Sequence, residues 1–264
     1  MREILSDLVA EQQHLDQFLQ TLRDRQWPTP TPAAGWTIQD TVSHLAYVES
    51  FAAEVLAEGQ ERIDAENITD LDAWTAIGVR RGRWRRHQEI IEWWRFGRAD
   101  VVEALSRILP SDRIPWLVGD MSARSFATIR LMETWAHGLD VKAAILGRNA
   151  PLDEPPEGLG EDEVWIDPLA DTARLRHIAS LGQRSLPFAF EQAGEEFPER
   201  GIRVEVMGPL YAAWRFGPED TDQVVKGMAG DWCRVVVQRQ DASDTGLRAV
   251  GDYAEMALKI ARTY

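Results

Sequence analysis

Three residues of the chain have side chains suited to binding a divalent metal. Glu133 and His137 stand four residues apart in METWAHGLDV (132–141), and His44 lies in GWTIQDTVSHL (35–45). Each residue of a helix turns about 100° around the axis. Over 122–145 that rotation gathers Phe126, Ile129, Glu133, Ala136, His137, Val141 and Ala144 into one sector, with Thr128, Thr134, Gly138 and Lys142 opposite. Glu133 and His137 therefore point where the apolar residues point, one turn apart. A carboxylate there is costly to bury unless it is paired or bound to a metal. In the second helix Thr41, Val48, Phe51 and Val55 mark the inward sector with His44 in its middle, while Gln39, Ser43, Ser50 and Glu54 face away. If the two helices pack face to face, one histidine meets a Glu-x-x-x-His pair.

A His–Glu–His set with one position open is the ligand type of a catalytic zinc. Nickel, iron and manganese also accept imidazoles with a carboxylate. Two plainer readings stand beside this one. Each histidine can be a hydrogen-bonded core residue, and Glu133 can be a salt-bridge partner of Arg130. The spacing alone does not choose among them. Asp140, three residues after His137, could orient its imidazole or bridge to a second domain. Asp40, one turn before His44, could do the same for that histidine, although an acid in a first turn simply suits the helix dipole.

Four helical regions must position these groups. The first spans 2–24, with Ile4, Leu8, Leu15, Phe18, Leu19 and Leu22 at helical spacing. After WPTPTPAAGW the second starts at Thr37, where Thr37 and Asp40 resemble a capping box, and runs to about Gly59. The third covers 71–108, with an interruption expected near Gly97. The fourth runs from Ser122 to Ile145 and stops at Gly147. The stretch 147–168, GRNAPLDEPPEGLGEDEVWIDP, is rich in Pro, Gly and acid and reads as a linker. Beyond it a short helix is expected at 170–181, a strand at 202–207 (IRVEVM) paired with 211–216 across the MGP turn, and a final helix at 249–262. The expectation is an α+β chain: a four-helix metal-binding domain over 1–148 and a small α+β domain over 149–264.

Composition narrows the function classes. The 264 residues are 44% hydrophobic and 27% charged, a globular profile. The net charge of −14 disfavours nucleic acid and anionic membranes as partners. The single cysteine, Cys233, excludes an internal disulfide, a cysteine-rich zinc site and a CxxC redox pair. It fits a reducing cytoplasm. The first residues do not read as a signal peptide, and no apolar run is long enough for a transmembrane helix.

The segments GWTIQDTVSHL and METWAHGLDV resemble the Gly-Trp-Thr…His-Leu and Glu-x-x-x-His-x-x-Asp segments of the DinB-like four-helix metalloproteins. The similarity is closest to the mycothiol-dependent maleylpyruvate isomerase family. It covers the chain to about residue 148. The resemblance implies a DinB-like four-helix bundle in which His44, Glu133 and His137 hold one divalent metal, zinc first among the candidates. It also implies mycothiol as a low-molecular-weight thiol partner and a small electrophilic substrate. Members carry a small α+β domain resembling sterol-carrier proteins, and 202–262 look compatible with it. MAGDWCRVVVQR (228–239) resembles a segment of actinobacterial relatives.

The implied activity is thiol transfer, or isomerisation through a thiol adduct. Against it stand a non-catalytic binding module, with a structural metal and an apolar ligand in the C-terminal domain, and a metal-responsive interaction protein. A closed fourth ligand would favour structure, and Asp140 is the candidate to watch. Three further features have ordinary readings. The arginines Arg80, Arg81, Arg83, Arg85, Arg86, Arg95 and Arg98 form a solvated face or a wall for carboxylates. Trp93, Trp94 and Trp135 are core residues or pocket liners. Cys233 is a small buried hydrophobe.

Overall fold

The structure, a computed structural model, describes residues 1–152, 154 and 165–263. It divides into two compact units, Met1–Leu169 and Ala170–Tyr264. Part of the expected linker, residues 153 and 155–164, lies outside the described residues. No helix among the described residues is long and apolar enough to cross a membrane.

In the first unit the four long helices are α1 (Arg2–Gln20), α2 (Ile38–Glu58), α5 (His87–Ser106) and α6 (Ala123–Leu146). Helix α2 lies against α5 and α6, and α1 against α6 and α5, which closes a bundle. Leu15 and Leu19 of α1, Val42 and Leu45 of α2, Ile90 and Trp94 of α5 and Val141 of α6 share one buried core. The helix ends follow local chemistry. Thr37 Oγ1 accepts from the Asp40 amide at 3.2 Å while Asp40 Oδ2 accepts from the Thr37 amide at 3.0 Å, a reciprocal cap for α2. Ser122 caps α6, and Gly147 ends it at φ +69°, a left-handed position that glycine adopts without strain.

The third region differs from the expectation. It is two helices, α4 (Leu71–Gly82) and α5, and the break falls at residues 83–86 rather than near Gly97. Gly97 sits inside α5 because the helices approach closely there. A Cβ on it would lie 2.8 Å from the Ser50 amide nitrogen and 3.1 Å from the Glu49 carbonyl carbon. A short helix, α3 (Gln60–Glu66), was not anticipated. A two-residue ladder, β1 (Arg113–Ile114) with β2 (Met121–Ser122), leads into α6.

The faces expected to point outward are covered in part: Glu54 of α2 is exposed, but other members of the set are not. Ser43 is fully buried beneath Gly82 of α4, where an added Cβ would collide with its Oγ. On α6, Thr128, Thr134 and Lys142 are buried. That side meets α1: Lys142 Nζ lies 3.5 Å from His14 Nδ1, and Gly138 faces Leu15.

The second unit is α+β. It contains α7 (Leu175–Arg184), α8 (Leu186–Ala193), β3 (Arg203–Met207), β4 (Ala213–Phe216), β5 (Val224–Met228), α9 (Ala229–Val236), β6 (Arg248–Val250) and α10 (Asp252–Ile260). The sheet order is β4-β3-β5-β6, with β3 and β5 parallel and the other pairs antiparallel. Val204 and Val206 of β3 are buried and alternate with half-buried or exposed neighbours, as IRVEVM requires. The β3–β4 pairing matches the sequence expectation; β5, α9 and β6 were not read from the sequence. Cys233 lies fully buried on α9, its Sγ 3.5 Å from the Leu175 carbonyl oxygen. Burial raises its thiol pKa well above the ordinary value, so it stays an inert thiol.

Candidate metal centre

The Thr37 cap sets the phase of α2, and seven residues later His44 faces α6. From α6, Glu133 and His137 project together. His44 Nε2 lies 3.9 Å from Glu133 Oε2, and His137 Nε2 lies 3.6 Å from the same oxygen. One ligand atom from each of the three residues lies within 4.8 Å of the others. The two nitrogens thus face one carboxylate oxygen from beyond hydrogen-bonding distance. Ligands that share one ion at bonds of about 2.0–2.2 Å stand roughly 3.3–3.6 Å apart. The 3.6 Å pair lies in that range and the 3.9 Å pair just beyond it, so the donor types suit a divalent metal and the His44–Glu133 pair would have to draw in slightly around it.

The sector read as inward is the more open side of α6. The side chain of Glu133 keeps 21% of its exposure and that of His137 12%, while Thr134 next door has none. The site is therefore sunk in the bundle but not sealed.

Each group has a distinct electrical setting. Burial pushes the His44 pKa down, and Glu133 only partly opposes this, so His44 is held neutral. Burial also pushes His137 down, but Asp140 and Glu133 outweigh it and its pKa is raised. Burial would raise Glu133, yet contact with His137 and His44 and the charge of Arg130 hold it well below the ordinary value, as an anion.

Asp140 accepts from His137: Oδ2 lies 3.1 Å from Nδ1, the ring nitrogen turned away from Glu133. That places Asp140 behind the imidazole and not at a fourth ligand position. Asp40 follows its plainer reading, since its carboxylate caps Thr37 and lies 3.7 Å from Arg83. His44 Nδ1 is buried without a hydrogen-bond partner.

Arg130, the alternative salt-bridge partner considered for Glu133, forms its ion pair with another carboxylate. Arg130 Nη1 lies 3.8 Å from Oε1 of Glu49, a fully buried carboxylate on α2. The Arg130 guanidinium sits 5.1 Å from the ring centroid of Trp116 and 5.7 Å from that of Phe126. Burial, opposed by Arg130, raises the Glu49 pKa to about 7.

Trp36 completes the site and was not among the tryptophans singled out from composition. Its ring stands 4.9 Å from His44 and 6.0 Å from His137, centroid to centroid. Its only sequence signal was its place in GWT. Trp94 belongs to the bundle core, and Trp93 donates to Ser50 Oγ at 2.9 Å. The arginines of 80–98 are engaged elsewhere than at His44, Glu133 and His137: Arg85 covers Trp93, Arg86 pairs with Glu89, and Arg95 and Arg98 turn inward to Asp16.

Two proteins of Mycobacterium tuberculosis, the uncharacterized proteins MT0041 (strain CDC 1551 / Oshkosh) and Rv0036c (strain H37Rv), are each 35% identical over 264 residues, 98% of this chain and 94% of theirs. Crystal structures of the mycothiol-dependent maleylpyruvate isomerase and of a histidine-to-alanine mutant of it share the fold. Their TM-scores are 0.58 and 0.59 at 16% identity, over 94% of this chain and 92% of theirs. The model of the mycothiol maleylpyruvate isomerase N-terminal domain matches residues 8–142, a span that includes His44, Glu133 and His137. The chain belongs to that family.

Proposed function

We propose that the protein is a divalent-metal-dependent enzyme that uses a low-molecular-weight thiol, mycothiol or a close relative, against a small electrophile. The reaction class is thiol transfer or isomerisation through a thiol adduct. One observation carries the reading: His44, Glu133 and His137, from two helices far apart in sequence, bring three ligand atoms within 4.8 Å of one another.

In this reading His44 Nε2, His137 Nε2 and Glu133 Oε2 hold the ion, and zinc suits the set. A divalent ion held by them would lower the pKa of a bound thiol and so supply a thiolate nucleophile at neutral pH. The chain's own residues do the rest. Asp140 fixes the tautomer of His137 with Nε2 free to bind. Burial keeps His44 neutral, the form that donates a lone pair. Trp36 lies beside both imidazoles and packs against their rings. Glu133 serves as a ligand anion rather than a base, since its pKa is held far below neutrality.

With Asp140 behind His137, the described residues offer three protein ligands, which favours an enzyme over a closed structural site. The apolar-ligand alternative gains no support from the cavity of about 330 Å³ in the second unit. Gln238, Arg239, Gln240, Asp241 and Lys259 line much of it.

Cobalt-substituted protein tests the reading. Adding mycothiol should produce a sulfur-to-metal charge-transfer band, absent without metal. Cys233→Ser is the background, so that no native thiolate contributes. The band should fade at low pH as protons compete for the histidines and the thiol. No band at any pH where cobalt stays bound would reject the thiol and leave a non-catalytic metal site.

A further inference from the structure

The mechanism above leaves one buried ionic pair unused. Glu49 and Arg130 are 0% and 2% exposed, and they belong to the same two helices as the metal ligands. Glu49 follows His44 by five residues on α2, and Arg130 precedes Glu133 by three on α6. Both carboxylate oxygens of Glu49 and the Nε of Arg130 lack a hydrogen-bond partner. Close packing of α5 at Gly97 brings that helix against the Glu49 backbone. An ion pair held at 3.8 Å with its polar atoms unsatisfied is poor structural glue, since desolvating both charges costs more than such a contact returns. Its charges act at a distance instead. The field of Arg130 reaches His44 and Glu133, and that of Glu133 reaches Glu49. Among the described residues, the second cation acting on Glu49 is Arg98, which is already committed to Asp16.

From this geometry we infer that Glu49 is a positioning residue of the metal centre, neutralising Arg130 so that the three ligands can accept a dication beside a fixed positive charge. The inference rests on the ligand reading given above. Without Glu49, Arg130 is an uncompensated buried cation near the ion, and repulsion in this low-dielectric setting is strong. Without both residues the charge balance returns.

The test measures metal affinity, not turnover. Dissociation constants for zinc are obtained at pH 8 by chelator competition on the full chain, with folding followed by circular dichroism. Glu49→Gln should weaken zinc binding about tenfold or more, the size expected of one unit charge several ångströms away. Glu49→Asp, which keeps the charge, should stay within about threefold of wild type by the same reasoning. The double variant Glu49→Gln/Arg130→Met should recover to within about threefold, because charge rather than packing is at stake. Unchanged affinity in folded Glu49→Gln would overturn the proposal, as would a double variant weaker than the single, which marks a packing role. Should Glu49→Gln not fold, Arg130→Met decides: charge balance expects binding as tight as wild type or tighter, and a loss overturns it. Wild-type protein that binds no zinc would overturn the ligand reading itself, a result distinct from all of these.

Discussion

Oδ2 of Asp140 lies 3.1 Å from Nδ1 of His137, one turn along α6, and leaves Nε2 of that ring turned to Glu133. A carboxylate in this position orients the ring and makes it a better donor. Asp140→Asn should weaken metal binding by roughly 10- to 100-fold, in line with the loss of such partners elsewhere. Chelator competition on folded protein measures it, and an unchanged dissociation constant would show that Asp140 does not tune the site.

The ligand assignment predicts that His44→Ala and His137→Ala each lose most of the bound metal. Mass spectrometry after dialysis reads the content. His87→Ala and His177→Ala should keep it: His87 stacks on Trp27 and bonds to Asp24, and His177 lies on α7 of the second unit. Full occupancy in either folded ligand variant would sink the assignment.

Glu49 predicts a pH dependence of the metal-free protein. Its folded pKa is raised from 4.5 to about 7 by burial. A raised carboxyl favours the folded state when protonated. Its contribution is therefore full below about pH 4.5 and lost as pH rises through about 7. Denaturant unfolding of wild type against Glu49→Gln isolates this group, and the stability difference should change by at most on the order of 3 kcal/mol across that window. A difference independent of pH between 4.5 and 8 would contradict the assignment of the shift to Glu49.

Gly97→Ala tests the close approach of α5 to α2. The added Cβ would lie 2.8 Å from the Ser50 amide nitrogen, a backbone atom that cannot move by itself. Helix propensity favours alanine by about 1 kcal/mol, but overpacking of this kind costs about 1–3 kcal/mol. Net destabilisation is expected in urea unfolding. A stabilised variant would show that the helices can separate without penalty.

Much of this molecule was written in local chemistry. Thr37 and Asp40 announced the start of α2, and Gly147 the end of α6, because capping needs only residues a few positions apart. The alternation of IRVEVM marked β3 for the same reason, since a strand's two faces repeat every second residue. The shared phase of Glu133 and His137, and the inward place of His44, were likewise legible from rotation about a helix axis. Tertiary structure decided what that rotation cannot express. A helical wheel gives the direction of a side chain but not how many neighbours surround the helix. Thr134 and Lys142 looked outward and are buried against a further helix, while Glu133, expected inside, keeps the more open side. Gly97 read as a break because glycine weakens helices; it is a contact surface, and only the position of α2 makes that visible. Glu49 and Arg130 are 81 residues apart by position, and no local rule links them. Their meeting, like the convergence of His44 on Glu133 and His137, exists only because α2 and α6 lie side by side, and the packing of the bundle core sets that arrangement.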